Sequence, residues 1–197
     1  MAREFEGRLI NGRVAIREDD EMRYPDLYYE FRNQEIPLHR SSSTVSELAP
    51  IFLYLKHIVQ SGDLLIIEEP EAHLHPLNQR ILAALLVRLA NAGLNLLVTT
   101  HSEFLLGELN NRMMMHTAQA RLPIDGVDAE RMDRLDPADV SVFVFRERAE
   151  AGGFVIEPVD VDPDEGISEE EFLAVHEELY EDSLVYRRHQ GGAGGDE

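Results

Sequence analysis

The hydrophobic and polar positions of the first forty residues alternate in short runs that predict antiparallel strands. Residues 8–16 contain two such runs on either side of Asn11-Gly12, a dipeptide typical of a tight hairpin turn. A second pair of runs, residues 26–31 and 35–38, is rich in the aromatic and β-branched side chains that favour strands. We therefore predict an antiparallel β meander over residues 1–40.

From residue 41 onward the pattern changes to alternating helices and strands. Apolar side chains between Val45 and Ile58 recur every three or four positions and predict a helix. The continuous apolar run at residues 64–67 predicts a central parallel strand that is covered on both faces. The elements predicted next are a helix over residues 77–91, a strand over residues 95–100 and a helix over residues 102–109. This order predicts a parallel sheet whose strands are joined by helices.

The last sixty residues predict a hairpin, a helix and a tail. Residues 140–145 and 154–159 have strand-like patterns on either side of Gly152-Gly153 and predict a hairpin. A capping sequence at residues 168–171 predicts a helix to about residue 180. The glycine-rich residues 191–197 are expected to form a disordered tail. The predicted fold class is therefore α/β, a parallel sheet with antiparallel β additions at both ends.

The net charge of the chain limits the classes of partner that it can bind. Its 38 acidic and 18 basic residues give a formal net charge of −20, and Lys56 is its single lysine. Such a surface repels phosphate backbones, which argues against nonspecific nucleic-acid binding by this chain alone. Because the acids are scattered through predicted helices and loops, they favour a halophile-like adaptation to a salt-rich cytoplasm over a dedicated acidic partner-binding face.

The location of the protein is constrained by what the sequence lacks. It has no cysteine, no secretory signal pattern at its start, and no apolar run near the roughly 18 residues that a membrane span needs. We therefore expect a cytoplasmic protein with no membrane segment and no thiol chemistry.

Acidic and imidazole side chains follow the two predicted parallel strands. Glu68 and Glu69 come directly after the first strand, and His101 follows the second. Open α/β sheets bind ligands at the carboxyl ends of their strands, so we expect these side chains to face one crevice. Mg²⁺ is commonly held by one or two carboxylates together with substrate phosphates, and a second carboxylate can orient an attacking water.

Three segments resemble motifs of ABC-type ATPases, in the AAA-family branch that includes RecF-like, SMC-like and OLD-type proteins. Residues 64–76, with their Glu-Glu-Pro-Glu run and Leu-His-Pro, resemble the Walker B and D-loop segment. Residues 99–102 resemble the switch-histidine loop, and residues 41–48 resemble the signature motif. The resemblance implies a P-loop NTPase-like (ABC-type) sheet with flanking helices. It also implies that residues 41–190 form the C-terminal lobe of such a domain.

The resemblance also implies catalytic roles, with ATP and Mg²⁺ as cofactors. In the positions of this sequence, Glu68 would hold the Mg²⁺, Glu69 would orient the attacking water, and His101 would contact the γ-phosphate. The expected activity is ATP hydrolysis that drives nucleotide-dependent dimer closure, in a process such as DNA repair or defence.

Further residues are expected to act across a dimer. By the same resemblance, Ser42 or Ser43, at the start of the signature helix, would bind the γ-phosphate held by the opposite subunit, as helix N-termini bind anions. His75 occupies the D-loop position where ABC proteins usually carry aspartate. A homo- or heterodimer that forms on ATP is therefore expected, and DNA is expected only as a ligand of a larger complex.

One motif of the family is absent from the sequence. No G-x-x-x-x-G-K-[ST] loop occurs, and Lys56 falls inside a predicted helix. The chain is thus expected to need a Walker A half, or a second protomer, before it hydrolyses ATP.

Two other functions stay open at this stage. The first is a noncatalytic regulatory or interaction subunit that keeps the ATPase fold. The second is a metal-dependent hydrolase in which the Glu-x-His-x-His run of residues 71–75, with His73 and His75, binds a transition metal together with His101.

Overall fold

The computed structural model describes residues 1–17, 25–118, 133–148 and 152–191, apart from a few side chains of the last helix. The chain divides into two compact units, Met1–Asp136 and Pro137–Glu197. The predicted tail lies outside the described residues from residue 192 onward.

Within the described residues, the first unit has a small antiparallel sheet, a parallel strand pair and four α-helices. In chain order its elements are α1 (Ala2–Ile10), β1 (Arg13–Arg17), β2 (Asp26–Phe31), β3 (Gln34–Pro37), α2 (Ser43–His57), β4 (Leu64–Glu68), α3 (Pro76–Asn91), β5 (Asn95–Thr99) and α4 (Glu103–Thr117). A short 3₁₀ turn, Leu38–Arg40, connects β3 to α2. The mixed α/β class predicted from the sequence is confirmed.

The prediction that the chain begins with a strand is wrong, because residues 2–10 form α1. The helix buries Phe5, Leu9 and Ile10 in the core, which a strand with alternating faces would not do. Asn11 adopts a left-handed conformation with φ of 52° and ends the helix. The Asn11-Gly12 pair therefore serves as a helix cap instead of a hairpin turn.

The rest of the meander is confirmed. Strands β1, β2 and β3 form an antiparallel sheet in that order, with Val14 opposite Tyr29 and Tyr29 opposite Ile36. The Tyr29 hydroxyl donates to the carbonyl oxygen of Ile10 at 2.5 Å, which ties this sheet to the end of α1.

Strands β4 and β5 pair in parallel, with Ile66 opposite Leu97 and Glu68 opposite Thr99, and α3 connects them. One face of this pair, carrying Leu65, Ile67, Leu96 and Val98, packs against a core built mainly from α1, α2 and α3.

The opposite face of β4 and β5 is bare. Leu64, Ile66 and Leu97 are 54 to 60% exposed, and no third strand joins the pair among the described residues. The prediction of a central strand covered on both faces therefore does not hold within the described part of this chain. The apolar run at residues 64–67 is typical of a strand that is covered on both faces. Within the described residues, the core covers only the face that carries Leu65 and Ile67.

Helix α4 continues beyond the predicted end at residue 109. Met113 is fully buried, and the Arg112 side chain, also buried, donates to Glu108 Oε1 one turn earlier at 3.1 Å. Burial lowers the pKa of Arg112, while the charge of Glu108 opposes that shift. The hydrophobic pattern does not predict this part of α4, because Arg112 is a charged residue that is buried with its partner Glu108.

The second unit has the predicted hairpin and helix. Strands β6 (Val142–Arg148) and β7 (Gly153–Val159) pair antiparallel with Phe145 opposite Ile156. Two short strands, β8 (Val161–Asp162) and β9 (Gly166–Ile167), follow, and α5 (Glu170–Gly191) extends past the predicted residue 180. No helix among the described residues is both long and apolar enough to cross a membrane.

Candidate functional site

Glu68, Glu69 and His101 lie at the carboxyl ends of β4 and β5, the edge at which the sequence predicts them. Glu68 is the last residue of β4 and pairs in register with Thr99, the last residue of β5. His101 Nε2 lies 3.7 Å from Glu69 Oε1. The His101 side chain is 89% exposed and that of Glu69 55%, so both are available to a ligand at this edge.

The backbone at Glu69 turns sharply toward β5. Its φ of 41° lies in the left-handed region, which a non-glycine residue adopts at a cost of about 1 kcal/mol. The Glu69 amide donates to the carbonyl oxygen of Thr99 at 3.0 Å and to Thr99 Oγ1 at 3.2 Å. These bonds hold the strained turn, and strain of this kind is common at functional sites.

Glu71 is a buried acid whose sequence context suggests only the alternative metal site. Its side chain is only 5% exposed. Glu71 Oε1 accepts hydrogen bonds from Thr100 Oγ1 at 2.5 Å and from the His101 amide at 3.1 Å. Acids are rarely buried without partners, but hydrophobic periodicity gives no sign of burial at an isolated acid. The Glu-Pro-Glu run that marks the family resemblance was the available signal.

The two histidines of the predicted D-loop lie just before α3 and make local contacts. His75 is the N-cap of the helix, where its Nδ1 accepts from the Leu77 amide at 3.3 Å. His73 Nε2 lies 3.9 Å from Glu47 Oε1. No three His, Asp or Glu side chains among the described residues are grouped so that they could hold a metal ion. The alternative of a site built from His73, His75 and His101 therefore finds no support in the described residues.

The predicted signature segment begins α2. Ser42 is its N-cap and accepts from the Val45 amide at 3.4 Å, and Ser43 is the first helical residue. Both serines are exposed. Thr44 Oγ1 donates to the carbonyl oxygen of His73 at 2.9 Å, which links the start of this helix to the D-loop segment.

The single lysine has a structural role far from phosphate chemistry. Lys56 Nζ donates to Glu6 Oε1 at 2.7 Å and to the carbonyl oxygen of Val14 at 2.6 Å. The Val14 amide donates to the same glutamate oxygen at 2.6 Å. Lys56 thus joins α2 to α1 and β1 inside the protein.

Comparison with known protein families identifies the family to which this chain belongs. The profile of the AAA ATPase domain family matches residues 6–106, about half of the sequence. The chain belongs to this family, and the ATPase resemblance of its motifs is confirmed at this level.

A solved structure supports the same fold. It comes from work described as "Structural biochemistry of ATP-driven dimerization and DNA stimulated activation of SMC ATPases", and it matches 90% of this chain and 87% of its own, with a TM-score of 0.54 and 12% identity. At that identity the match establishes a shared fold, which is of the AAA/ABC ATPase type. No curated protein sequence matches the chain.

Proposed function

We propose that this chain carries the acid and histidine half of an ATP hydrolase, and that a segment outside these 197 residues supplies the phosphate-binding loop. Glu68 would hold Mg²⁺, Glu69 would orient the attacking water, and His101 would contact the γ-phosphate. The support from geometry is that Glu68 pairs in register with Thr99 at the carboxyl edge of β4 and β5. At the same edge His101 Nε2 lies 3.7 Å from Glu69 Oε1.

The bare face of β4 and β5 is the observation that carries the proposal. Side chains two residues apart share a face of a strand, so Leu64, Ile66 and Glu68 point the same way, beside Leu97 and Thr99. Parallel sheets are normally covered on both faces. Covering each large aliphatic side chain is worth about 1.5 to 3 kcal/mol. A segment that binds there would be stabilised by several such contacts and would be held next to Glu68.

The residues present fit the chemistry of Mg²⁺ and ATP. Mg²⁺ keeps several waters and takes few protein carboxylates, so the exposed Glu68 suffices as its protein contact. When bound, the ion would neutralise charge that develops on the phosphates. Glu69 would accept a hydrogen bond from the attacking water and aim it, and the imidazole of His101, 3.7 Å from Glu69, would donate to a phosphate oxygen.

A second subunit would complete the site. The exposed N-terminus of α2, with Ser42 and Ser43, would face the γ-phosphate bound by the opposite subunit, and His75 would lie at the contact between them. The homo- or heterodimer would close on ATP and reopen on hydrolysis. Because this chain has a net charge of −20, it would contact DNA only as part of a larger complex. The process would be one such as DNA repair or defence, in the cytoplasm.

The test is Mg²⁺-dependent ATP hydrolysis in high salt, which suits an acidic surface. The samples are this chain alone, a candidate phosphate-loop half, their mixture, and the mixture in which this chain carries Glu69→Gln. Glu177→Gln, an exposed acid on α5, is the charge-matched control. Activity in the wild-type and control mixtures, with loss in Glu69→Gln, is the expected result.

The alternative of a noncatalytic subunit makes a different prediction. In that case the two halves would associate, yet the mixture would hydrolyse no ATP and Glu69→Gln would change nothing. That result would overturn the catalytic proposal while leaving the family assignment intact.

A further inference from the structure

Glu71 connects the loop that follows β4 to the loop that follows β5. Its Oε1 accepts from the His101 amide at 3.1 Å and from Thr100 Oγ1 at 2.5 Å. Glu69 lies two residues before Glu71 in the chain, and its carboxylate faces the His101 ring. The backbone of His101 is therefore bonded to the same loop that presents Glu69.

Further hydrogen bonds connect the contact between Glu71 and Thr100 to helices α3 and α4. Thr100 Oγ1 also accepts from the Ser102 amide at 3.0 Å, and Ser102 Oγ caps α4 by accepting from the Leu105 amide at 3.0 Å. The Ser102 hydroxyl donates to Gln79 Oε1 on α3. Gln79 Nε2 in turn donates to the carbonyl oxygen of Leu74 at 3.0 Å, which returns the chain to the D-loop segment.

We propose that Glu71 is a positioning residue, which holds His101 against Glu69 through the bond from the His101 amide to Glu71 Oε1. At 5% exposure Glu71 is too enclosed to contact a nucleotide itself. Its effect depends on the length of its side chain, because Oε1 has to extend from the loop after β4 to the backbone amide of His101. Its kinetic consequence rests on the proposed ATP hydrolysis, whereas the contact itself is a property of this chain.

The length and the charge of the Glu71 side chain can be tested separately, because Oε1 accepts both of the hydrogen bonds described above. Glu71→Gln keeps an oxygen at the same distance and removes the charge. Glu71→Asp keeps the charge and withdraws the oxygen by one methylene. Positioning predicts that glutamine is tolerated and aspartate is not, and a role for the charge predicts the reverse.

Glu108 provides a matched control for general damage to the protein. It is also 5% exposed and accepts hydrogen bonds from Arg80 on α3 and Arg112 on α4. Within the described part of the chain it makes no hydrogen bond to the loops that follow β4 and β5. Glu108→Asp therefore shortens an equally buried acid elsewhere, and is expected to lower stability without altering His101.

The first measurement is hydrogen exchange of the His101 amide in this chain alone. We expect exchange to be about tenfold faster in Glu71→Asp, where the amide loses its acceptor, and near the wild-type rate in Glu71→Gln and Glu108→Asp. Equal rates in Glu71→Asp and the wild type would overturn the proposal. So would faster exchange in Glu71→Gln than in Glu71→Asp.

The second measurement is hydrolysis by the chain mixed with its phosphate-loop half. Glu71→Asp is expected to lower kcat about 10- to 100-fold, because His101 is misplaced, with KM for ATP within about threefold. Glu71→Gln is expected to keep most of the activity. If the wild-type mixture is inactive, the proposed function fails, and the exchange measurement still decides whether Glu71 holds His101.

Discussion

His101 Nε2 lies 3.7 Å from Glu69 Oε1 at the carboxyl edge of the parallel strand pair. Both side chains are largely exposed, and exposed pairs of this kind add about 0 to 1 kcal/mol to stability. The pairing therefore contributes little to folding. Its position next to the strained turn at Glu69 is what gives it a place in the proposed chemistry.

Replacing His101 should separate activity from stability. We expect His101→Ala to change the free energy of unfolding by less than about 0.5 kcal/mol, because the side chain is exposed. In the mixture with the phosphate-loop half it should lower kcat about 100-fold, through loss of a donor to the phosphate. Urea unfolding and an ATPase assay measure the two quantities. His57→Ala, an exposed histidine at the end of α2, should leave both unchanged, and equal activity of the two variants would contradict the role of His101.

The sequence predicts the placement of Glu68, Glu69 and His101 at one sheet edge because the signals for it are local. An apolar run followed by Glu68 and Glu69, and another followed by His101, place three side chains at one edge as soon as the strands pair in parallel. Glu71 is missed because its role depends on a contact with residue 101 across the sheet edge, and no periodicity in the chain reports such a contact.

The fold is predicted less well where tertiary burial overrides a local pattern. Asn11-Gly12 is a strong turn signal, yet burial of Phe5 and Leu9 in the core makes the preceding residues a helix. Conversely, the apolar run of β4 correctly indicates a parallel strand and overstates its burial, since Leu64 and Ile66 remain bare. A sequence pattern reports which side chains favour burial, whereas their actual burial depends on whether another segment covers them.

The internal role of Lys56 predicts a large effect on stability. Lys56→Met would leave Glu6, which is almost fully buried, without its cationic partner. Removing one member of a buried pair typically costs about 3 to 5 kcal/mol, and we expect a loss of that size in urea unfolding. Arg13→Gln, which breaks an exposed pair with Glu30, should cost about 0 to 1 kcal/mol. A loss below about 1 kcal/mol in Lys56→Met would contradict a structural role for the lysine.

The bare face of β4 and β5 predicts where the phosphate-loop half binds. The double substitution Ile66→Gln and Leu97→Gln makes this face polar while changing exposed side chains only, so each change should alter the stability of the chain alone by less than about 0.5 kcal/mol. The affinity for the phosphate-loop half, measured by analytical ultracentrifugation, should fall about 10- to 100-fold because the apolar contacts are lost.

An exposed apolar residue outside this face gives the comparison. Leu77 on α3 is 59% exposed, similar to Ile66, and Leu77→Gln should leave association unchanged. If Leu77→Gln weakens binding as much as the double substitution does, the partner recognises apolar surface in general and the bare face has no special role.

Ser42 allows helix capping to be separated from contact with a phosphate. Asp and Asn both cap helices as well as Ser does, so Ser42→Asp and Ser42→Asn should both keep the free energy of unfolding within about 0.5 kcal/mol. The aspartate places a negative charge where the proposal puts the γ-phosphate of the opposite subunit. We expect Ser42→Asp to abolish ATP-dependent dimerisation, and Ser42→Asn to retain it, in sedimentation of the assembled protein carrying Glu69→Gln, which slows hydrolysis. Equal dimerisation of the two variants would show that the N-terminus of α2 does not meet nucleotide across the dimer.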